Sequence, residues 1–181
     1  MSGLAALKIE SLTSKQGVEI VKNNNVQILK DTLSILKRGK YKKNGKTVYT
    51  KLSRKQMEEC KVYLPDDIQN IMESKEFEHI HVMGRVSVGC RNNDSFGMAQ
   101  EQYKYSYLCS GREEKNILVL NFANPVNPGG GVRRGARAQE EDLCRKSSLL
   151  LSLESDDAQN YYRNNKSLHT YMGSDAIILT P

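Results

Sequence analysis

The sequence lacks several features that would limit its location and chemistry. No hydrophobic run approaches the roughly 18 residues that a membrane-spanning helix needs. The first residues, MSGLAALKIES, do not show the basic-then-apolar order of a secretory signal, so we expect a cytoplasmic protein. The four cysteines, Cys60, Cys90, Cys109 and Cys144, form no CxxC pair. Reduced thiols are therefore favoured over disulfides or a structural metal site.

Positive charge is concentrated in the first third of the chain. Residues 1–64 contain 14 Lys or Arg and 5 Asp or Glu, whereas residues 65–181 have a net charge of −3. The densest run, KRGKYKKNGK at residues 37–46, could bind nucleic acid or another polyanion by displacing counterions. Charge runs are more often solvated turns, and Tyr41 is the single aromatic residue here. Polyanion binding is therefore a subsidiary hypothesis.

Hydrophobic spacing along the chain predicts a mixture of helices and strands in one domain of 181 residues. Helical spacing and capping residues, with Asp94 or Ser95 as one cap, predict helices at residues 26–38, 53–60, 66–77, 94–109 and 139–152. Alternating or continuous apolar residues predict strands at residues 46–52, 79–88, 116–122 and 175–181. In the second half, strands alternate with helices, which is typical of a parallel sheet covered by helices.

A glycine-rich loop, NFANPVNPGGGVRRGARA at residues 121–138, follows the predicted strand at 116–122. In parallel sheets, ligands bind beyond the carboxyl ends of the strands. Three consecutive glycines, residues 129–131, remove every Cβ, so a ligand could approach backbone N–H groups that bind phosphate oxygens. The alternative is an ordinary glycine-rich connection without a ligand.

Two adjacent glutamates, Glu140 and Glu141, lie in the first turn of the next predicted helix. Adjacent helical residues point about 100° apart, so the two carboxylates cannot perform one task together. One could reach the reacting bond while its neighbour holds the substrate. The alternative is that both acids only complement the helix macrodipole. A general acid needs a raised pKa, which a nearby anion or desolvation could provide.

This region resembles the bacterial-type poly(ADP-ribose) glycohydrolases, a branch of the macrodomain fold. The resemblance rests on GGG, seven residues and QEE, preceded by VLNFAN and followed by DLCRKSSLL. It extends more loosely through DTLSILKRGKY, VSVGCRNNDSF and AQNYYRNN. The resemblance implies a three-layer α/β/α macrodomain-like sandwich, with residues 1–78 as a basic, mainly helical extension packed on a catalytic core at residues 79–181. It further implies that the protein binds ADP-ribose without a metal or cofactor and hydrolyses the ribose–ribose O-glycosidic bond of the polymer.

Site residues are implied by their positions in the same motif. Glu141 would be the catalytic acid, and Glu140 and Gln139 would hold the terminal ribose. The residues that would contact the diphosphate and that ribose are Gly129, Gly130 and Gly131. The residues that would shape the loop are Asn121 and Asn127. Asp94, just after a predicted strand, resembles the macrodomain acid that meets adenine.

The sequence departs from the family pattern at its end. Members of the family continue into a second phosphate-binding loop and an aromatic contact to adenine, whereas this sequence ends at Pro181. Because an incomplete sheet exposes an edge, we expect a second polypeptide to complete it, or a chain from which residues were removed after folding.

Three functions remain open at this stage. The first is a hydrolase that removes ADP-ribose units from poly(ADP-ribose). The second is an ADP-ribose reader, or an inactive remnant, that binds without cleaving. The third is a hydrolase of mono-ADP-ribosylated proteins, which would use the same pocket. Membrane and nucleic-acid partners are not expected. His79 and His81 share a face of their predicted strand, but without further ligands we expect polar strand positions and no metal.

Overall fold

The computed structural model describes residues 15–50, 59–75, 88–110, 117–168 and 173–180. The helices are α1 (Lys15–Arg38), α2 (Pro65–Met72), α3 (Ser95–Ser110), α4 (Gln139–Lys146), α5 (Leu149–Leu153) and α6 (Asp156–Ser167). The strands are β1 (Lys40–Lys43), β2 (Lys46–Tyr49), β3 (Lys61–Tyr63) and β4 (Ile177–Leu179). The body of the predicted helix at 53–60 lies outside the described residues, as do His79, His81 and all but the last residue of the predicted strand at 79–88.

Helix α1 leads directly into a two-stranded hairpin. Gly39 follows the helix with a φ of +65°, and its N–H donates to Ile35 O at 2.9 Å, so it ends the helix as the sequence predicts. Strands β1 and β2 pair antiparallel around a turn at Asn44 and Gly45, whose φ angles are +50° and +76°. Positive φ at both central residues is the geometry that a tight hairpin turn requires. The predicted turn and strand are confirmed.

The second strand pair joins distant parts of the sequence. Strands β3 and β4 pair antiparallel, with Val62 opposite Ile178. The predicted final strand is therefore confirmed, but its described partner is antiparallel rather than parallel.

Residues 117–122 differ from the predicted buried strand. They form no strand pair among the described residues, and the side chains of Leu118, Leu120 and Phe122 are 83%, 70% and 73% exposed. The side chain of Gln139 takes the place of a strand partner, since it accepts from Phe122 N at 2.9 Å and donates to Leu120 O at 2.7 Å. The prediction of burial on both faces is wrong for these residues.

The predicted helix at 139–152 is interrupted between α4 and α5. Ser147 has extended backbone angles, φ −145° and ψ −174°. Its hydroxyl donates to Leu143 O at 2.9 Å and accepts from Leu149 N at 3.1 Å. Because these side-chain bonds replace helical backbone bonds, the serine breaks the helix.

The buried core is built from both halves of the chain. Leu29 of α1 and Cys60 before β3 belong to the same buried cluster as Val132, Leu150 and Tyr162. The predicted domain boundary after residue 78 falls outside the described residues. The segments before it nevertheless pack on the later ones, and helices α1 and α6 both contact the glycine-rich loop.

Candidate active site

The loop that precedes α4 is shaped by its own asparagine. Asn124 Oδ1 accepts hydrogen bonds from Val126 N at 2.9 Å and Asn127 N at 2.8 Å. This arrangement is the turn that an asparagine side chain stabilises before a proline. Gly130 N then donates to Asn127 O at 2.9 Å. Asn127 therefore shapes the loop through its backbone, and Asn124 is a contributor that motif matching did not identify.

Gly130 is the point at which the loop meets the two glutamates. A Cβ on this residue would lie 2.6 Å from Glu141 Oε1 and 3.0 Å from Glu140 Oε2, closer than ordinary contacts allow. Its φ of +57° also disfavours any residue with a side chain. The loop and the carboxylates can approach this closely only because residue 130 is glycine.

The neighbouring glycines serve other contacts. A Cβ on Gly129 would lie 2.8 Å from Leu150 Cδ1 and 3.2 Å from Cys144 Sγ, so this glycine is needed for core packing. A Cβ on Gly131 would lie 2.8 Å from Ala136 Cβ. Glycine is therefore required at three consecutive positions for three different neighbours.

The N–H groups of the three glycines are directed at acceptors inside the protein, and that of Gly129 interacts with the Glu140 carboxylate. Gly130 N donates to Asn127 O, and Gly131 N donates to Glu141 Oε1 at 2.8 Å. The sequence predicts that these N–H groups face phosphate oxygens. In this structure they hold the loop and the carboxylates in place, and their contact with phosphate oxygens stays a prediction.

The carboxylates of Glu140 and Glu141 are buried, with side chains 3% and 7% exposed. Glu140 Oε2 accepts from Asn124 N at 2.9 Å, and Glu141 Oε1 accepts from Gly131 N. The other oxygens, Glu140 Oε1 and Glu141 Oε2, are buried and accept no hydrogen bond from the described residues. Since an unsatisfied buried oxygen is costly, both are suited to receive hydroxyl groups from a ligand.

Burial raises the pKa of Glu140 above its ordinary value. The N–H of Asn124 and the side chain of Asn121 oppose this shift, and repulsion from Glu141 adds to it. Asn121, which the sequence expects to shape the loop, thus lies beside the first glutamate. A raised pKa is one property that a general acid needs.

We expect Glu140→Gln to stabilise the protein at neutral pH. Because folding raises the pKa of Glu140, the folded chain binds more protons than the unfolded chain above the ordinary value of 4.5. Wild-type stability therefore falls as pH rises from that value through the raised pKa. Glutamine has no such charge, so the variant should gain about 2–4 °C in Tm at pH 7 and nothing near pH 4. Thermal unfolding of both proteins between pH 4 and 8 measures this, and a pH-independent difference would contradict it.

Gln139 joins the beginning of α4 to the preceding segment. In addition to its bonds with residues 120 and 122, its Nε2 donates to Ser95 Oγ at 3.1 Å. The resemblance assigns this side chain to the terminal ribose. In this structure its hydrogen bonds go to the chain itself, and its contact with ribose stays a prediction.

Asp94 caps helix α3, as the sequence predicts. Its Oδ1 accepts from Gly97 N at 2.7 Å, and its Oδ2 lies 2.9 Å from Lys146 Nζ. The Gly97 N–H and then Lys146 lower the pKa of Asp94. Lys146 also binds Asp142 at 2.7 Å, so the ion pair connects α3 with the end of α4. The predicted contact between Asp94 and adenine is not tested by this arrangement.

Helix α1 supports one side of the loop. Asn25 Nδ2 donates to Gly135 O at 3.1 Å, and Thr32 Oγ1 donates to Arg145 O at 2.6 Å. Arg145 is itself buried and donates from Nη1 to Ala136 O at 2.6 Å. The turn that returns the chain from the glycines to the glutamates is thus held by residues more than a hundred positions away.

Helix α6 supports the opposite side through one buried asparagine. Asn165, 2% exposed, donates from Nδ2 to Pro125 O and accepts from Ser174 N, both at 2.9 Å. Sequence reasoning did not identify this residue. Its exposed neighbour Asn164 is the same residue type, so no local signal distinguishes the two.

Two classes of site are absent from the described part of the chain. Nowhere in it do three His, Cys, Asp or Glu side chains come together in a way that could hold a metal ion. No helix within the described ranges has the length and apolar character needed to cross a membrane.

Comparison with known proteins identifies the family. The microbial-type PARG catalytic domain, that of poly(ADP-ribose) glycohydrolases, matches residues 29–181. The chain belongs to this family. The prediction made from the GGG and QEE motif is therefore confirmed. No curated protein sequence matches the chain significantly.

Solved poly(ADP-ribose) glycohydrolases share the fold. The enzyme from Thermomonospora curvata has a TM-score of 0.66 at 25% identity, over 88% of this chain and 55% of that one. The same enzyme with the inhibitor ADP-HPD gives a TM-score of 0.68 at 25% identity, over 88% and 53%. The enzyme from Deinococcus radiodurans in complex with ADP-ribose gives 0.58 at 27% identity, over 70% and 46%. The macrodomain-like α/β class predicted from the sequence is confirmed, and the chain spans about half the length of these relatives.

Proposed function

We propose that this glycohydrolase-family chain hydrolyses the ribose–ribose O-glycosidic bond of poly(ADP-ribose) and releases ADP-ribose. The observation that carries the proposal is the pair of buried glutamates against Gly130. Each has one oxygen that accepts no hydrogen bond from the described residues. The relatives solved with ADP-HPD and with ADP-ribose support a site for the same nucleotide here.

Cleavage of a glycosidic bond needs a proton for the leaving oxygen, a stabilised oxocarbenium-like sugar and a positioned water. We assign the proton to Glu141, whose Oε1 is held by Gly131 N–H while Oε2 has no described donor. As the bond between the anomeric carbon and the leaving ribose oxygen breaks, Glu141 protonates that oxygen. The resulting carboxylate takes a proton from the attacking water, which restores the acid.

The other site residues have binding tasks in this proposal. Glu140 accepts a hydroxyl of the terminal ribose through Oε1, which has no described hydrogen-bond donor. The diphosphate and that ribose pass over Gly129–Gly131, where Gly130 presents no Cβ. Asn121 and Asn127 support this surface, and Gln139 holds the start of α4 beside it. Asp94 is the residue that we assign to the contact with adenine.

Binding selectivity tests the site independently of turnover. We expect ADP-ribose to bind at least about tenfold more tightly than ADP, because only ADP-ribose has the terminal ribose that meets the carboxylates. Glu140→Gln should remove most of this preference. Asp157→Asn, which changes an acid in the first turn of α6, should leave it intact. Calorimetry with both ligands measures the ratio, and equal affinities in the wild type would contradict the assignment.

We also propose that a further polypeptide segment covers the apolar edge at residues 117–122. Its alternate side chains, Leu118, Leu120 and Phe122, are exposed, and the solved relatives have nearly twice as much chain as the part matched here. An uncovered edge of this kind associates with other chains. Size-exclusion chromatography should therefore show concentration-dependent association that Leu120→Lys reduces. A monomer at every concentration would contradict this proposal.

The remaining assignments are broader. We propose that mono-ADP-ribosylated proteins, which present the same terminal ribose, are additional substrates of this site. We propose a cytoplasmic location, because Cys60, Cys90 and Cys144 form no disulfide in the described part of the chain.

A further inference from the structure

The basic hairpin, formed by β1, β2 and their turn, has a concentration of positive charge that the proposed cleavage does not use. Residues 37–50 contain six Lys or Arg and no Asp or Glu. The four lysines of its strands, Lys40, Lys42, Lys43 and Lys46, are exposed. In the described part of the chain, none of these cations forms a salt bridge with a carboxylate.

The strand register places Lys40 and Lys42 on one face of the hairpin with Thr47 and Tyr49, and Lys43 and Lys46 on the other face. Lys40 lies opposite Tyr49, and Lys42 lies opposite Thr47. All four side chains are exposed, and the ring of Tyr49 is 73% exposed. Neighbouring strands are about 4.8 Å apart, and residues two apart on a strand are separated by about 7 Å. Two ammonium groups and one aromatic ring are thus presented together to solvent.

The turn of the hairpin places like charges against each other. Lys43 lies directly opposite Lys46. Like charges in directly opposite positions destabilise a strand pair. With no acidic residue in the hairpin to offset them, an anion bound at this turn would relieve the repulsion.

Helix α1 connects the basic hairpin to the candidate active site. Thr32 of this helix contacts the Arg145 carbonyl at the end of α4. Gly39 begins the hairpin seven residues later, which corresponds to about 10 Å along a helix. The basic hairpin is thus separated by about 10 Å of helix α1 from the point where this helix contacts the helix of the glutamates.

We propose that the basic hairpin binds a tract of the substrate polymer outside the cleavage site. The inference rests on the proposed function, because it concerns the substrate of the same site. Each repeat of poly(ADP-ribose) contains a diphosphate, which matches closely spaced lysine ammonium groups, and an adenine, which can stack on Tyr49. Nucleic acid has one phosphate for each base and is the competing ligand that the experiment must distinguish.

The test compares two variants that remove equal charge. The hairpin variant changes Lys40, Lys42, Lys43 and Lys46 to Gln, and the control variant changes the exposed lysines Lys30, Lys61, Lys75 and Lys166 to Gln. We expect the hairpin variant to bind long polymer at least about tenfold more weakly, with a salt dependence smaller by about 3 in log–log slope. Its affinity for monomeric ADP-ribose should be unchanged. The control should retain polymer binding much closer to that of the wild type.

Fluorescence anisotropy with end-labelled polymer is measured with both variants made in the Glu141→Gln background, which lacks the proposed acid, so binding is measured separately from cleavage. If the wild type binds the polymer but does not cut it, the proposed function fails while the comparison of variants still decides the role of the hairpin. Equal polymer affinity in the two variants would overturn the inference. Tighter binding of single-stranded RNA of equal length at the hairpin would also overturn it.

Discussion

Glu141→Gln should lower the rate of polymer hydrolysis by at least about 100-fold, in line with the contribution of a positioned general acid. Its affinity for ADP-ribose should remain within a factor of about three. Glutamine keeps the size of the side chain and an oxygen that can accept from Gly131 N–H, so the loop should retain its shape. What it loses is the proton for the leaving oxygen. Rates with saturating polymer and Kd values for ADP-ribose separate these two effects.

Glu140→Gln is the matched variant, because the two residues are adjacent and equally buried. We expect it to weaken ADP-ribose binding more than Glu141→Gln does, since Glu140 is assigned to the ribose. Turnover at the wild-type rate in Glu141→Gln would overturn the assignment of the acid. If Glu140→Gln instead kept its affinity for ADP-ribose and lost hydrolysis, the roles of the two glutamates would be reversed. The raised pKa of Glu140 would agree with that result.

Gly130→Val should reduce the affinity for ADP-ribose by at least about 100-fold. Its Cβ would lie 2.6 Å from Glu141 Oε1, so the loop or the carboxylates must move. A β-branched residue is also strained at the φ of +57°. The effect on binding therefore combines a displaced loop with a side chain in the space assigned to the ligand.

Gly39→Val is the control for backbone strain. Gly39 has a φ of +65°, but nothing lies within 4 Å of the position of its Cβ. It should lower the Tm without changing the ADP-ribose Kd of the folded molecules. Thermal unfolding gives the Tm, and titration calorimetry gives the fraction of molecules able to bind and their Kd for ADP-ribose. Unchanged affinity in Gly130→Val would mean that the loop is only a connection.

Features set by near neighbours could be predicted from the sequence. Gly39 ends α1 and Asp94 caps α3 because both depend on backbone groups within four residues. The positions of Glu140 and Glu141 in the first turn of α4 follow from the same local rules. The burial of the two glutamates and their contact with Gly130 do not follow from these local rules. They could be expected only from the resemblance of the whole GGG and QEE motif to the family.

Features set by distant contacts could not be predicted in this way. The three glycines are identical in the sequence, yet Leu150 requires glycine at residue 129 and the glutamates require it at residue 130. Asn165 is buried because Pro125 and Ser174 meet on either side of it. The apolar sequence at residues 116–122 predicted a buried strand. In the structure, the backbone of residues 120 and 122 bonds to the side chain of Gln139, a contact that hydrophobicity cannot predict.

The most direct test of the central claim is the amount of free ADP-ribose released from purified poly(ADP-ribose), measured by chromatography, with wild type and Glu141→Gln in parallel reactions. We expect ADP-ribose to accumulate with the wild-type chain, while the variant binds the polymer and releases about 100-fold less. Polymer that stays intact with the folded wild type would contradict the account and support an ADP-ribose reader. Equal release by the two proteins would contradict the role assigned to Glu141.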